Sequence, residues 1–166
     1  MNAVATQIEI SEDRLIERSE LSFPEQIALI VEHMKGMPQT DCPVTHRFAP
    51  GVYLREIFMP ADAIVIGKIH KTKHFNLLVR GACFIVHSDG TREELRAPGV
   101  FVSEAGVQKV LYITEDMVWQ TIHPTNETDL CRLEEELITK EHPGLSDDVR
   151  AECARIAEER MQRALP

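Results

Sequence analysis

The sequence predicts a mainly β domain, a sandwich or barrel, with helices before and after it. Three observations point there. Between residues 44 and 124, short runs of β-branched and aliphatic residues are broken by turn signals about every eight to twelve residues. Residues 22–35 and the stretch from Asp129 onward instead repeat their apolar positions at helical spacing. A chain of 166 residues, 43% of them hydrophobic, is long enough for one compact domain with its own core. The predicted organisation is an N-terminal arm and helix over 1–43, a β-barrel over 44–124 and a C-terminal helical extension over 125–166, one structural domain overall.

The first part has an arm with apolar Ile8, Ile10, Leu15 and Ile16, placed either on its own domain or on a neighbouring subunit. Ser22 before Phe23-Pro24-Glu25 is a helix start, and Ile27, Ile30, Val31 and Met34 recur on one face until Gly36 and Pro38 end the run. This predicts a helix over 24–35. Strands are predicted over 52–58, 63–70, 75–79, 82–87, 93–97, 100–102, 108–113 and 117–123. Between them, residues 59–62, Arg80-Gly81, residues 88–90, Pro98-Gly99 and Ala105-Gly106 read as turns. Ser88-Asp89-Gly90-Thr91 is the strongest hairpin signal, because Asp-Gly takes positive φ at low cost. Asp129 caps a helix running to Lys140, with Leu130, Leu133, Leu137 and Ile138 on one face. His142-Pro143-Gly144 breaks it, and Ser146 caps a second helix whose stripe is Val149, Cys153, Ile156, Ala157 and Met161.

Charge and cysteine usage narrow the function classes. Lys and Arg number 18 against 27 Asp and Glu, a formal net charge of -9, and the acidic residues are scattered. Such a surface disfavours phosphate backbones and anionic membranes, so neither nucleic acid nor membrane is an expected partner. Cys42, Cys83, Cys131 and Cys153 follow no C-x-x-C spacing, which suggests reduced thiols rather than a zinc ribbon or a disulfide scaffold. No apolar stretch approaches the ~20 residues a membrane span needs. Met1-Asn2-Ala3-Val4 does not open a basic region followed by an apolar run, and the expected setting is cytoplasmic.

The segment 67–81 carries the most chemistry. His70 and His74 lie four apart across a predicted turn between two aliphatic strands, a geometry that brings two imidazoles onto one metal. Lys68, Lys71, Lys73, Arg80 and Lys109 form a local set of cations in an acidic protein, suited to a carboxylate, phosphate or sugar-nucleotide ligand. Arg55 and Glu56 add polar groups from an adjacent strand. Plainer readings stand beside these: the histidines as hydrogen-bonded core or rim residues, the lysines as solvated loop residues, and Trp119 as a core or interface anchor. His33, His46, His87 and His142 receive no role. There is no Ser/His/Asp order, phosphate-cradling glycine loop, H-E-x-x-H or paired catalytic carboxylate spacing.

Residues 67–81 resemble the first motif of the cupin superfamily, in which a His-x-His pair is followed by a glutamate and a closing glycine. The resemblance puts Lys68 at the first histidine, His70 at the second, His74 at the glutamate and Gly81 at the glycine, with the last two spacings kept. The second motif is echoed by Gly99, Glu104, Gly106, Lys109 and Ile113, where only the glycines match. The resemblance covers about residues 44–124 and implies a cupin-like double-stranded β-helix, or jelly-roll barrel. The chain also resembles small cupin-like proteins of bacteriophages and prophages in residues 102–125, implying a phage or prophage source and the host cytoplasm.

Of the family's ligand positions only that of His70 keeps its usual residue; His74 is a different but competent ligand, and protonated Lys68 and Lys109 are not ligands. A third ligand must come from elsewhere, and His123, Gln108 and Glu104 are the candidates. Along 117–123 side chains alternate, so Trp119, Thr121 and His123 share one face. The metal candidates are thus His70, His74 and His123, with one divalent transition metal, Fe, Mn, Ni or Zn. The ligand-binding candidates are Lys68, Asn76, Arg55, Gln108, Lys109 and Trp119. Phe58, Met59 and Trp119 are expected to offer apolar surface for a homodimer. Three functions fit: a metal-binding cupin-like protein that binds or acts on a small polar metabolite, a metal-free small-anion-binding module, or a non-catalytic phage accessory or assembly protein.

Overall fold

A computed structural model describes residues 8–9, 15–16, 21–87 and 89–164. In chain order the elements are β1 (Ile8–Glu9), β2 (Leu15–Ile16), α1 (Phe23–Met34), β3 (Val44–Ala49), β4 (Val52–Met59), β5 (Ile64–Ile66), β6 (Ile69–His70), β7 (His74–Val86), β8 (Arg92–Arg96), β9 (Gly99–Ser103), β10 (Val110–Pro124), α2 (Leu130–Leu137), β11 (Ile138–Thr139) and α3 (Asp147–Arg163). The mainly β architecture with helices before and after it matches the sequence prediction. No described helix is long and apolar enough to cross a membrane. The chain divides into two compact units, residues 40–141 and residues 1–39 with 142–166.

The smaller unit is built on α1 and α3. Leu21, Leu29, Leu145, Val149 and Ile156 form its core, with Ala28 and Cys153 packed against it. The Ser22 N–H and hydroxyl donate to Glu25 Oε2 at 2.9 and 2.7 Å, and Glu25 Oε1 accepts the Ser146 N–H at 3.2 Å, tying the starts of both helices together. Arg160 Nη1 donates to the Glu32 carbonyl at 2.9 Å. Two expectations are corrected: the fully buried residues of α1 are Ile27 and Leu29, and Met161 is exposed. The reason is the pairing of the helices, which is centred on Leu29 and Val149 and leaves the last turn of α3 outside the core. Of the predicted arm, Ile8, Leu15 and Ile16 fall in the antiparallel β1–β2 pair, and Ile10 lies outside the described residues.

The larger unit holds a seven-stranded antiparallel sheet with the order β3-β4-β10-β7-β8, to which β5 adds on β10 and β9 on β7. The predicted breaks at Arg80-Gly81 and between 113 and 117 are absent; β7 and β10 run through as continuous long strands. Gly81 takes φ +86 inside β7, and a Cβ there would stand 2.3 Å from the Asp116 carbonyl oxygen. The register of β10 against β7 shifts between Ile113 and Trp119, beside this glycine. The positive φ that suggested a turn serves instead to bend a paired strand over a bulge. β3 was not anticipated.

The expected strand over 63–70 is split. The Gly67 N–H donates to the Lys109 carbonyl at 2.8 Å, after which β6 leaves the sheet to pair with β11. Helix α2 stops at Leu137 rather than reaching Lys140, because Ile138 is extended at φ -117, ψ 136 and pairs with His70. The hairpin after β7 forms as predicted, with Val86 opposite Arg92 and Gly90 at φ +81; Ser88 itself lies outside the described residues. The core of this unit is Met59, Ala63, Leu78, Cys83, Leu111, Ile113, Met117 and Trp119. Met59 and Trp119, expected as dimer surface, are 2% and 5% exposed, since both strands point them inward.

Candidate metal centre

Period-two alternation aims one face of three neighbouring strands at the same space. Tyr53, Arg55 and Ile57 of β4 stand opposite His123, Thr121 and Trp119 of β10. On the other flank, Thr121 and Trp119 stand opposite Asn76 and Leu78 of β7. All of these side chains but Leu78, which belongs to the core, line a cavity of about 450 Å³ with apolar walls that include Ile57, Met59, Val65 and Leu111. Trp119, Thr121 and His123 share one face, as alternation predicted, and the strand turns that face to the cavity. Helix α2 adds Leu133 and Leu137, which pack on Tyr53.

The three histidines come from three elements. His70 ends β6, His74 begins β7 and His123 sits near the end of β10. The link from β6 to β7 is pinned: the Lys71 N–H donates to the Leu137 carbonyl at 2.8 Å and Lys71 Nζ to the Glu135 carbonyl at 2.6 Å. The ring centroids lie 4.1 Å apart for His70 and His74, 4.9 Å for His70 and His123 and 4.8 Å for His74 and His123. One ligating nitrogen from each lies within 4.8 Å of the others, so the three could hold a metal ion. Gln108 donates to the Gly67 carbonyl at 3.0 Å and lies off the cavity wall, and Glu104 is exposed and paired with Lys73 at 2.7 Å. Neither joins the cluster.

Burial keeps these rings neutral. It pushes the His70 pKa down to about 3, helped by His74, His123, Lys109 and Arg55, and that of His123 down to about 4, helped by His74 and Arg55. His74 is lowered by burial as well, against a raising hydrogen bond with Thr72. Neutral imidazoles keep the lone pairs a metal needs. His74 Nδ1 lies 3.0 Å from the Thr72 carbonyl, which can only accept, so Nδ1 carries the proton and Nε2 offers its lone pair. The Nδ1 atoms of His70 and His123 are buried with no hydrogen-bond partner. Two buried imidazole nitrogens without a partner, in a cluster of three rings, fit the donor set of a metal ion.

The other predicted residues divide. Arg55, Lys68, Asn76, Lys109 and Trp119 all line the cavity. Lys68 Nζ is held by both oxygens of Glu134 at 2.6 and 2.7 Å. Asn76 is internally committed: its Nδ2 donates to Ser103 Oγ at 2.9 Å and its Oδ1 accepts from Trp119 Nε1 at 3.0 Å. Lys109 Nζ donates to the same Ser103 Oγ at 2.6 Å. Two lining residues were missed. His46, given no role from sequence, stands on β3 opposite Arg55 and bonds Tyr53 Oη through Nδ1 at 2.7 Å. Tyr53 in turn stacks on His123 with centroids 6.0 Å apart. The signal for Tyr53 was the alternation Tyr53-x-Arg55-x-Ile57-x-Met59; His46 gave none, because β3 itself went unread.

No family model matches the chain, and no curated protein matches it. Solved structures do. An HTH_3 family transcriptional regulator from Vibrio cholerae aligns at 15% identity and TM-score 0.41, over 52% of this chain and 52% of that one, so the chain spans about half of its length. A cupin domain from Bordetella pertussis aligns at 15% identity and TM-score 0.43, over 54% of this chain and 98% of its own. The ethanolamine utilization protein Q of Salmonella typhimurium aligns at 11% identity and TM-score 0.45, over 55% and 76%.

Proposed function

We propose that this chain is a cupin-like metal-binding protein in which His70, His74 and His123 hold one divalent transition metal, and that a small polar metabolite binds in the cavity beside it. The observation that carries this reading is the convergence of three buried, neutral imidazoles, two of them with unpartnered Nδ1 atoms. Of Fe, Mn, Ni and Zn, an all-imidazole set suits Fe, Ni and Zn better than Mn, and three protein ligands would leave room for a further one. A metal bound there supplies a Lewis acid that polarises a ligand oxygen. The chain's own residues do the rest. Thr72 fixes the tautomer of His74, Tyr53 stacks on His123, and Ile57, Met59, Val65 and Leu111 give the cavity an aliphatic wall.

Elemental analysis of protein purified without a histidine tag or chelator tests this, alongside the His70→Ala, His74→Ala double variant. A near-stoichiometric transition metal in the parent that is absent from the folded variant is the expected result. No metal in the parent after reloading, or an unchanged content in the variant, overturns it.

A further inference from the structure

Two cations in the cavity form no ion pair with a carboxylate among the described residues. Arg55 is half-buried, lines the cavity and makes no salt bridge or hydrogen bond among the described residues. Lys109 is half-buried too; its Nζ donates to Ser103 Oγ and sits 6.0 Å from the centre of the Phe101 ring, with no carboxylate against it. The carboxylate of Glu134, which lines the same cavity, is hydrogen-bonded to Lys68 and reaches Arg55 only through space, without an ion-pair contact. Between Arg55 and Asn76 in the cross-strand row stands Thr121, whose Oγ1 is buried and has no partner. Desolvated, unpaired charge is costly, and burial lowers the pKa of both cations, which marks a site waiting for a counter-charge.

We propose that Arg55, Lys109 and the Thr121 hydroxyl anchor the carboxylate of a small organic acid, whose apolar body lies against Met59, Val65 and Leu111. The proposal rests on the metal reading for what the acid's other end meets, and names the class of ligand that reading left open. A guanidinium fork matches a planar carboxylate, and the hydroxyl supplies a further donor. The aliphatic wall favours a carbon chain over a bare inorganic anion.

Titration calorimetry with sodium butyrate and with butyramide, which keeps the shape and drops the charge, tests the anchor on metal-loaded and metal-free protein. Saturable butyrate binding, little butyramide binding, and about tenfold weaker butyrate binding in Arg55→Gln and in Lys109→Met is the expected pattern. Both variants should melt no lower than the parent, since each removes an unpaired charge; if Arg55→Gln fails to fold, Lys109→Met carries the comparison. Equal binding of amide and acid, parent-like affinity in both variants, or no butyrate binding at tens of millimolar overturns the anchor. The two readings fail separately. Charge-dependent butyrate binding to a protein that takes up no metal removes the metal alone, and a metal-loaded protein indifferent to Arg55 and Lys109 removes the anchor alone.

Discussion

The indole Nε1 of Trp119 donates to Asn76 Oδ1 at 3.0 Å, and both side chains are buried, at 5% and 2% exposure. The amide's other end is spent on Ser103, which also accepts from Lys109. One asparagine thus couples β7, β9 and β10 at the cavity wall. A residue expected from sequence as a ligand contact therefore also has a structural part.

Replacing Asn76 with Leu leaves the buried Trp119 N–H without its acceptor and removes a donor to Ser103. An unsatisfied buried donor costs about 1–3 kcal/mol, and urea unfolding should show a loss in that range. An unchanged midpoint would mean that the indole finds another acceptor.

Gly81→Ala should be among the most damaging single changes in the larger unit. The φ of +86 is strained for any L side chain, and the added Cβ meets backbone, the Asp116 carbonyl at 2.3 Å, rather than a movable side chain. Strain of this kind costs about 1–3 kcal/mol before the steric clash is added. Gly90→Ala, also at positive φ but with open space around it, is the control and should cost less. Equal melting temperatures for the two would remove the bulge argument.

Acid stability should depend on Glu25. Hydrogen bonds from Ser146 and Ser22 bring its pKa from 4.5 down to about 2. A carboxyl depressed on folding contributes stability above its unfolded value, and that contribution is lost as pH falls from about 4.5 towards 2. The group is partly exposed, so solvent screening keeps the effect modest. Thermal melts of Glu25→Gln should fall below the parent at pH 6 and converge with it near pH 2; parallel curves across that interval would contradict this.

Metal loading should raise stability by mass action. At a free metal concentration of about one hundred times Kd the gain is about 2.7 kcal/mol. A chelator should reverse it, and the His70→Ala, His74→Ala variant should show neither shift. A chelator-sensitive melt that persists in the variant would place the metal elsewhere.

Local patterns carried part of this far. Ser22 with Glu25, Ser146 before an apolar stripe, and Asp89-Gly90 between two strand runs each act within a few residues, so each was readable. Gly81 was found but misassigned, because a positive φ marks a turn or a bulge alike until the opposite strand is known. The end of α2 was misplaced for a similar reason: helical periodicity continues through Ile138, but pairing with His70, far back in the chain, extends it.

The sequence by itself determined the mainly β class, the flanking helices, the shared face of Trp119, Thr121 and His123, and the pairing of His70 with His74 across a short turn. Those follow from period and turn chemistry, which are local. Only the tertiary structure decided that the Trp119 face turns inward, that His123 closes the triangle while Gln108 and Glu104 do not, that His46 and Tyr53 stand beside it, and that Arg55 and Lys109 make no salt bridge among the described residues. Each depends on strand register between segments tens of residues apart, and register is set by which faces bury together rather than by any one segment's pattern.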